Sequence, residues 1–180
     1  MARLNINGKL HEVLDGVKTL LSVREESARN NPLIVLQFIV FRHNEHQMES
    51  MRSLAAELGV DRLEFKSAQI YGFEMGSPMI PENELYSRYS RNPDGGYAIK
   101  NRLPNRCWRM WSGTVITWDG RVVPCCFDKD ATHVLGDLNK ENVRAVWNSE
   151  KYRDFRSRLS EARSKIDICT NCSEGVKVFS

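Results

Sequence analysis

At 180 residues, with 41% hydrophobic and 27% charged side chains, the chain has the size and balance of one ordinary globular domain, or of a small domain joined to part of another. Its 26 Lys and Arg against 23 Asp and Glu leave a net charge of +3 spread along the sequence, which gives no basis for binding nucleic acid or a membrane surface. The longest apolar run, Leu33 to Phe41, is interrupted by Gln37 and is far too short to cross a bilayer.

Leu10, Val13, Leu14, Val17, Leu20 and Leu21 repeat at the spacing of one helical face, and this helix runs out in the charged stretch near Arg29 before Asn30-Asn31-Pro32. Leu33 to Phe41 then reads as a strand buried on both faces, as in a parallel sheet. Asn44 is placed to cap a second helix bearing Met48, Met51, Ala55 and Leu58, with a stop at Gly59. Val60 to Ala68 returns as a strand. Helix, strand, helix, strand predicts α/β architecture with a right-handed crossover. Two strands are too few for a doubly wound sheet or a barrel, so residues 1–70 read as a piece of something larger. Eight Gly and Pro residues punctuate 71–104, which reads as an inter-domain linker with one short helix around Glu82 to Tyr89.

Residues 105–180 have a different texture. Thr114 to Trp118 and Arg121 to Val123 are β-rich runs joined by Asp119-Gly120, the signature of a hairpin with a two-residue turn. In that register Thr114 lies opposite Cys125. Val143, Val146 and Trp147 make a short helical face, and Ser149 is placed to cap a longer helix with Tyr152, Phe155 and Leu159 inward. That helix ends near Ser164 and delivers Cys169 and Cys172.

Four cysteines carry the chemistry: Cys107, then 17 residues, Cys125, then 43, then Cys169-Thr170-Asn171-Cys172. A Cys-x2-Cys pair supplies two ligands from one bend of backbone, and two distant thiols complete a four-thiolate site; spacing alone leaves iron and zinc open. Five cysteines without an apolar leader at Met1-Ala2-Arg3-Leu4-Asn5 suggest a reducing compartment, and the cytoplasm is the expectation. Cys126, the spare, is expected as a buried thiol on the face opposite Cys125. Arg106, Arg109, Arg121 and Lys129 read as solvated charges. His43, His46 and His133 have no ligand spacing to any cysteine. Trp108, Trp111, Trp118 and Trp147 are expected to cover the metal site and fill the small core.

Cys107, Gly120 and Cys125, followed by Cys169 and Cys172, resemble the auxiliary-cluster domain of radical SAM enzymes known as SPASM, in its four-cysteine form called twitch. The text between them is similar too: Trp118-Asp119-Gly120-Arg121-Val122-Val123-Pro124-Cys125-Cys126, Leu135-Gly136-Asp137-Leu138, and Val146-Trp147-Asn148-Ser149-Glu150-Lys151-Tyr152. The resemblance implies one [4Fe–4S] cluster held by Cys107, Cys125, Cys169 and Cys172, with zinc as the alternative occupant. Residues 1–70 resemble the last strands and helices of the radical SAM partial (β/α) barrel, with Arg42, Asn44, Lys66 and Gln69 near its active side. The Cys-x3-Cys-x2-Cys motif that binds a second [4Fe–4S] cluster and S-adenosylmethionine is absent, since no cysteine precedes Cys107.

By this resemblance the chain is expected to be the C-terminal portion of a radical SAM oxidoreductase or modifying enzyme, inactive alone towards S-adenosylmethionine. Its partners would be the N-terminal part of the barrel, an electron donor or acceptor protein, and a substrate among peptides, sugars and cyclitols. The competing expectation is a non-catalytic module, stapled by zinc or a cluster, that binds a protein or peptide. A freestanding electron carrier is a third.

Overall fold

The computed structural model describes residues 9–173, which divide after Ala98 into two compact units. The outer ends of the expected 1–70 and 105–180 segments lie outside the described residues. No helix among the described residues is long and apolar enough to cross a membrane.

In the first unit, α1 spans Leu10–Glu26. Its apolar stripe is present as expected but unpacked: none of its residues is buried, and Leu10, Val13, Leu20 and Val23 are all exposed. Strand β1 (Val35–Val40) pairs in parallel with β2 (Arg62–Ser67), in register from Val35 opposite Arg62 to Val40 opposite Ser67. The crossover is a short 3-10 turn, Glu45–Gln47, and α2, Met48–Leu58. Gly59 closes α2 at φ 71°, a left-handed conformation that favours glycine, and its N–H returns to the Ala55 carbonyl at 3.1 Å.

Two expectations for this unit change. β1 is not covered on both faces, because Val35 and Ile39 are exposed while Val40 is buried. A sheet of two strands has neither the neighbours nor the helices that cover a central parallel strand. Asn44 does not cap α2. Its Oδ1 accepts from the Phe41 N–H (2.7 Å) and its Nδ2 donates to the Ile39 carbonyl (3.0 Å), so it ties off the end of β1.

The stretch read as a linker is folded through Ala98. Ile70, Phe73, Ile80 and Tyr89 are buried there, and Phe73 stacks on Tyr89 with ring centres 4.3 Å apart. The Tyr89 hydroxyl accepts from the Ile70 N–H at 2.7 Å and donates to the Ile70 carbonyl at 3.1 Å. Strands β3 (Tyr89–Arg91) and β4 (Tyr97–Ile99) form a second two-stranded sheet. The helix expected at Glu82 to Tyr89 is a single 3-10 turn, Glu84–Tyr86, because Ser87 already turns extended and feeds β3.

The second unit begins with α3 (Arg109–Ser112) and an antiparallel sheet in the order β5 (Val115–Ile116), β6 (Arg121–Val123), β7 (Gly136–Asp137). Helices α4 (Val143–Trp147), α5 (Glu150–Ala162) and α6 (Asp167–Thr170) complete it. Ser149 caps α5, its side chain accepting from the Tyr152 N–H at 3.3 Å. Tyr152, Phe155 and Leu159 are buried as their spacing predicts, and pack with Met110, Val122, Leu135, Val146, Ile166 and Cys169 into one core.

The hairpin slips by one residue from its expected register. Val115 faces Val123 and Ile116 faces Val122. The Thr117 N–H bonds to the Arg121 carbonyl (2.9 Å) and the Gly120 N–H to the Thr117 carbonyl (3.0 Å), so the loop has three residues, with Gly120 at φ 87°. A type I turn followed by a left-handed glycine is the usual three-residue solution. Thr114 therefore stands across from Val123 and Pro124, its hydroxyl donating to the Val123 carbonyl at 2.7 Å, and not opposite Cys125.

Candidate metal centre

Each cysteine sits at the end of an element of the second unit. Cys107 precedes α3 and accepts through its carbonyl from the Met110 N–H (3.2 Å); its side chain is half-buried against the core. Cys125 follows β6 and is also half-buried, with its carbonyl accepting from the Asp128 N–H at 3.1 Å. Cys169 lies in α6, and the Cys172 N–H returns to the Cys169 carbonyl at 3.0 Å, so one short turn presents both members of the Cys-x2-Cys pair, both buried. The Asn101 amide donates to the Cys172 carbonyl at 2.8 Å. None of the five cysteines is in a disulfide.

A carboxylate shapes the chain after Cys125. Asp128, 4% exposed, accepts from the Thr132 N–H and hydroxyl (both 2.8 Å) and from the His133 N–H (2.9 Å). The His133 ring then meets Asp167, the first residue of α6, at 2.6 Å. His133 thus joins the loop after Cys125 to the helix carrying Cys169.

The thiols sense one another. Burial pushes Cys125 up to about 11; the Phe127 N–H opposes this, and charge on Cys126, Cys172 or Cys107 would add to it. Burial likewise pushes Cys169 up to about 11, against the pull of Arg163, with Cys172 and Cys125 contributing. Thiols that raise each other's pKa in a partly dry setting are poor places for isolated thiolates and good ones for thiolates neutralised by metal. As the side chains stand, no group of three or more His, Cys, Asp or Glu among the described residues is gathered tightly enough to hold a metal ion.

Arg163 is the residue that sequence reasoning missed. It is 2% exposed, and its Nη2 donates to the Cys172 sulfur at 3.3 Å. Burial works against its charge, but Cys172, Cys107 and Cys169 outweigh that and hold its pKa above the usual arginine value. Its Nε–H is buried without a partner among the described residues. An arginine just past α5 carries no signal in sequence that separates it from the exposed Arg158 five residues earlier; only burial reveals it. A buried guanidinium facing sulfur fits a strongly anionic thiolate centre such as an iron–sulfur cluster.

Other expected positions fall as follows. Arg106, Arg109 and Lys129 are exposed, and Arg121 pairs with Asp119 at 2.9 Å. Cys126 is exposed rather than buried, with Arg109 Nη1 3.9 Å from its sulfur. Strand β6 ends at Val123, so Cys125 and Cys126 lie in a bend and the strand alternation that would have buried one of them does not apply. The tryptophans do not fill the core as a set, although Trp108 and Trp111 line the cavity that Cys107 also lines. Trp118 is 96% exposed at the hairpin loop, Trp108 and Trp111 are also exposed, and only Trp147 packs, against Tyr152 with ring centres 4.8 Å apart. In the first unit, Arg42 donates to the Ile80 carbonyl (3.0 Å), Lys66 pairs with Glu64 (2.8 Å), and His43 stacks on Phe41.

Comparison with known proteins bears on these residues. Residues 107–173 match SPASM, an iron–sulfur cluster-binding domain. An S-adenosyl-L-methionine-dependent 2-deoxy-scyllo-inosamine dehydrogenase from Niallia circulans is 35% identical over 60 residues, 33% of this chain and 24% of that protein. A tungsten-containing aldehyde ferredoxin oxidoreductase cofactor-modifying protein from Pyrococcus furiosus is 24% identical over 184 residues, covering 87% of this chain and 50% of that one. A PqqA peptide cyclase from Gluconobacter oxydans is 27% identical over 133 residues, 65% of this chain and 36% of the relative. The chain spans half or less of the length of each of these curated relatives. Residues 107–173 therefore carry the SPASM iron–sulfur cluster-binding domain, in a chain that is similar over parts of its length to these larger proteins.

Proposed function

We propose that Cys107, Cys125, Cys169 and Cys172 hold one [4Fe–4S] cluster that serves as the auxiliary electron-transfer centre of a radical SAM modifying enzyme. The observation that carries this reading is the span of the SPASM match, 107–173, which begins at the first candidate ligand and takes in the other three. When bound, such a centre accepts or passes on single electrons. The chain's own contribution would be to supply sulfurs from three separate places in the second unit and to keep two of them, Cys169 and Cys172, out of water.

The first unit supports the rest of the reading. A parallel β1–α2–β2 crossover with an exposed α1 stripe and exposed Val35 and Ile39 is what a piece of a partial (β/α) barrel leaves open for further strands and helices. In the whole enzyme those elements would bring the second cluster and S-adenosylmethionine, and the cytoplasm would supply an electron-exchanging protein. Substrates in the classes named for the relatives, a peptide or an inosamine, are the natural first trials.

Anaerobic reconstitution with iron and sulfide tests the ligand assignment directly. About four irons and four sulfides per chain are expected. One zinc per chain and no acid-labile sulfide after the same treatment would replace the cluster with a structural zinc site.

A further inference from the structure

We propose that Arg163 is the fixed counter-charge of the thiolate centre, a positioning residue that ties the backbone just before Cys107 to the sulfur of Cys172 and raises the centre's reduction potential. The proposal rests on the cluster reading.

Arg163 is among the most deeply buried side chains of the chain and has no carboxylate partner among the described residues. A buried cation without a counter-ion is strongly unfavourable, so a fold that retains one places an anion beside it. The group at hand is sulfur: Nη2 donates to Cys172 Sγ at 3.3 Å. Nη1 reaches the other way, to the Arg106 carbonyl at 2.8 Å and the Pro104 carbonyl at 3.5 Å. The Arg163 N–H is held by Asn105 Oδ1 at 3.0 Å. The guanidinium therefore straps the segment running into Cys107 to the sulfur of Cys172, and Arg163 and Cys107 both line one cavity of about 400 Å3.

This geometry separates Arg163 from the cations that sequence alone brings forward. Arg106 and Arg109 are exposed, where water and salt screen them; Arg163 is not. Four thiolates around an iron–sulfur core carry net negative charge, and reduction adds one electron more. A fixed positive charge in a dry site favours the reduced form. Lysine keeps the charge but loses the planar fork that holds two carbonyls and a sulfur at once.

The test uses the reconstituted chain, with iron and sulfide counted and the midpoint potential read by redox titration followed by electron paramagnetic resonance. In Arg163→Met the reduced-to-oxidised ratio at a given potential should fall about tenfold, a downward shift of about 59 mV for one electron. Arg163→Lys should recover more than half of that shift. An Arg163→Met potential equal to wild type overturns the proposal while leaving the four ligands in place. Equal shifts in both variants, or loss of the cluster from both, give Arg163 a packing role and overturn it as well. Wild-type protein that takes up no iron and sulfide overturns the cluster reading, and this inference with it.

Discussion

Gly136 and Val146 are packed so closely that a Cβ built on the glycine would stand 2.5 Å from both γ-carbons of the valine. Strand β7 and helix α4 meet at this point, and Val122 on β6 faces Gly136 across the ladder. Any side chain here forces the sheet and the helix apart. Gly136→Ala should lower stability by about 1–3 kcal/mol, the usual cost of overpacking a tight core. The check is chemical denaturation, and Val146→Ala in the same chain should return part of the loss. Two fully additive effects would show that the residues do not share a contact.

Ser149 caps the helix that carries the core face of the second unit. Ser149→Ala leaves that first-turn donor without its side-chain acceptor and should cost about 1 kcal/mol, measured by denaturation midpoint at constant slope. Ser149→Asp should retain most of the stability, since a carboxylate at a helix start accepts the same bond and suits the helix dipole.

Asp61 accepts from Arg24 (2.5 Å) and from the Ile34 N–H (2.6 Å), and these bonds hold its carboxyl below the ordinary aspartate range. A carboxyl whose pKa is lower in the folded state contributes stability above its unfolded value near ~3.9, and loses it as pH falls through the folded value. Asp61→Asn should therefore be less stable than wild type at neutral pH, and the gap should close in acid. A gap that is constant from neutral pH into strong acid would contradict this.

Single Cys→Ala changes at 107, 125, 169 and 172 should each abolish stable iron and sulfide uptake, because a cluster held at four corners opens when one is removed. Cys126→Ala should load like wild type, since its side chain is exposed and lies beside Arg109. Iron analysis after desalting distinguishes these. Full loading of Cys107→Ala, or none in Cys126→Ala, would reassign the ligands.

Trp118→Ala, at a hairpin loop and 96% exposed, should change stability by no more than about 0.5 kcal/mol. Leu159→Ala, 1% exposed, should cost about 2–5 kcal/mol. Thermal or denaturant unfolding of the pair measures the contrast directly.

Local chemistry was legible before the fold was known. The caps at Gly59 and Ser149, the inward face of Tyr152, Phe155 and Leu159, the hairpin and the matched cysteine text depend on residues a few positions apart, where spacing and backbone preference act alone. The hairpin register escaped because two- and three-residue turns suit the same Asp-Gly, and the choice between them falls on how β6 pairs with β7.

Burial was out of reach for a different reason. An apolar residue can be placed on a face from spacing, but whether anything covers that face depends on segments far away. Trp118 and the stripe of α1 lie open for that reason, while Arg163, charged and unremarkable in the text, is sealed beside Cys172. Residue identity and spacing say which atoms of this chain could bind a metal. Which charge stands against them is settled by folding, because dielectric environment belongs to a place in the fold and not to a residue.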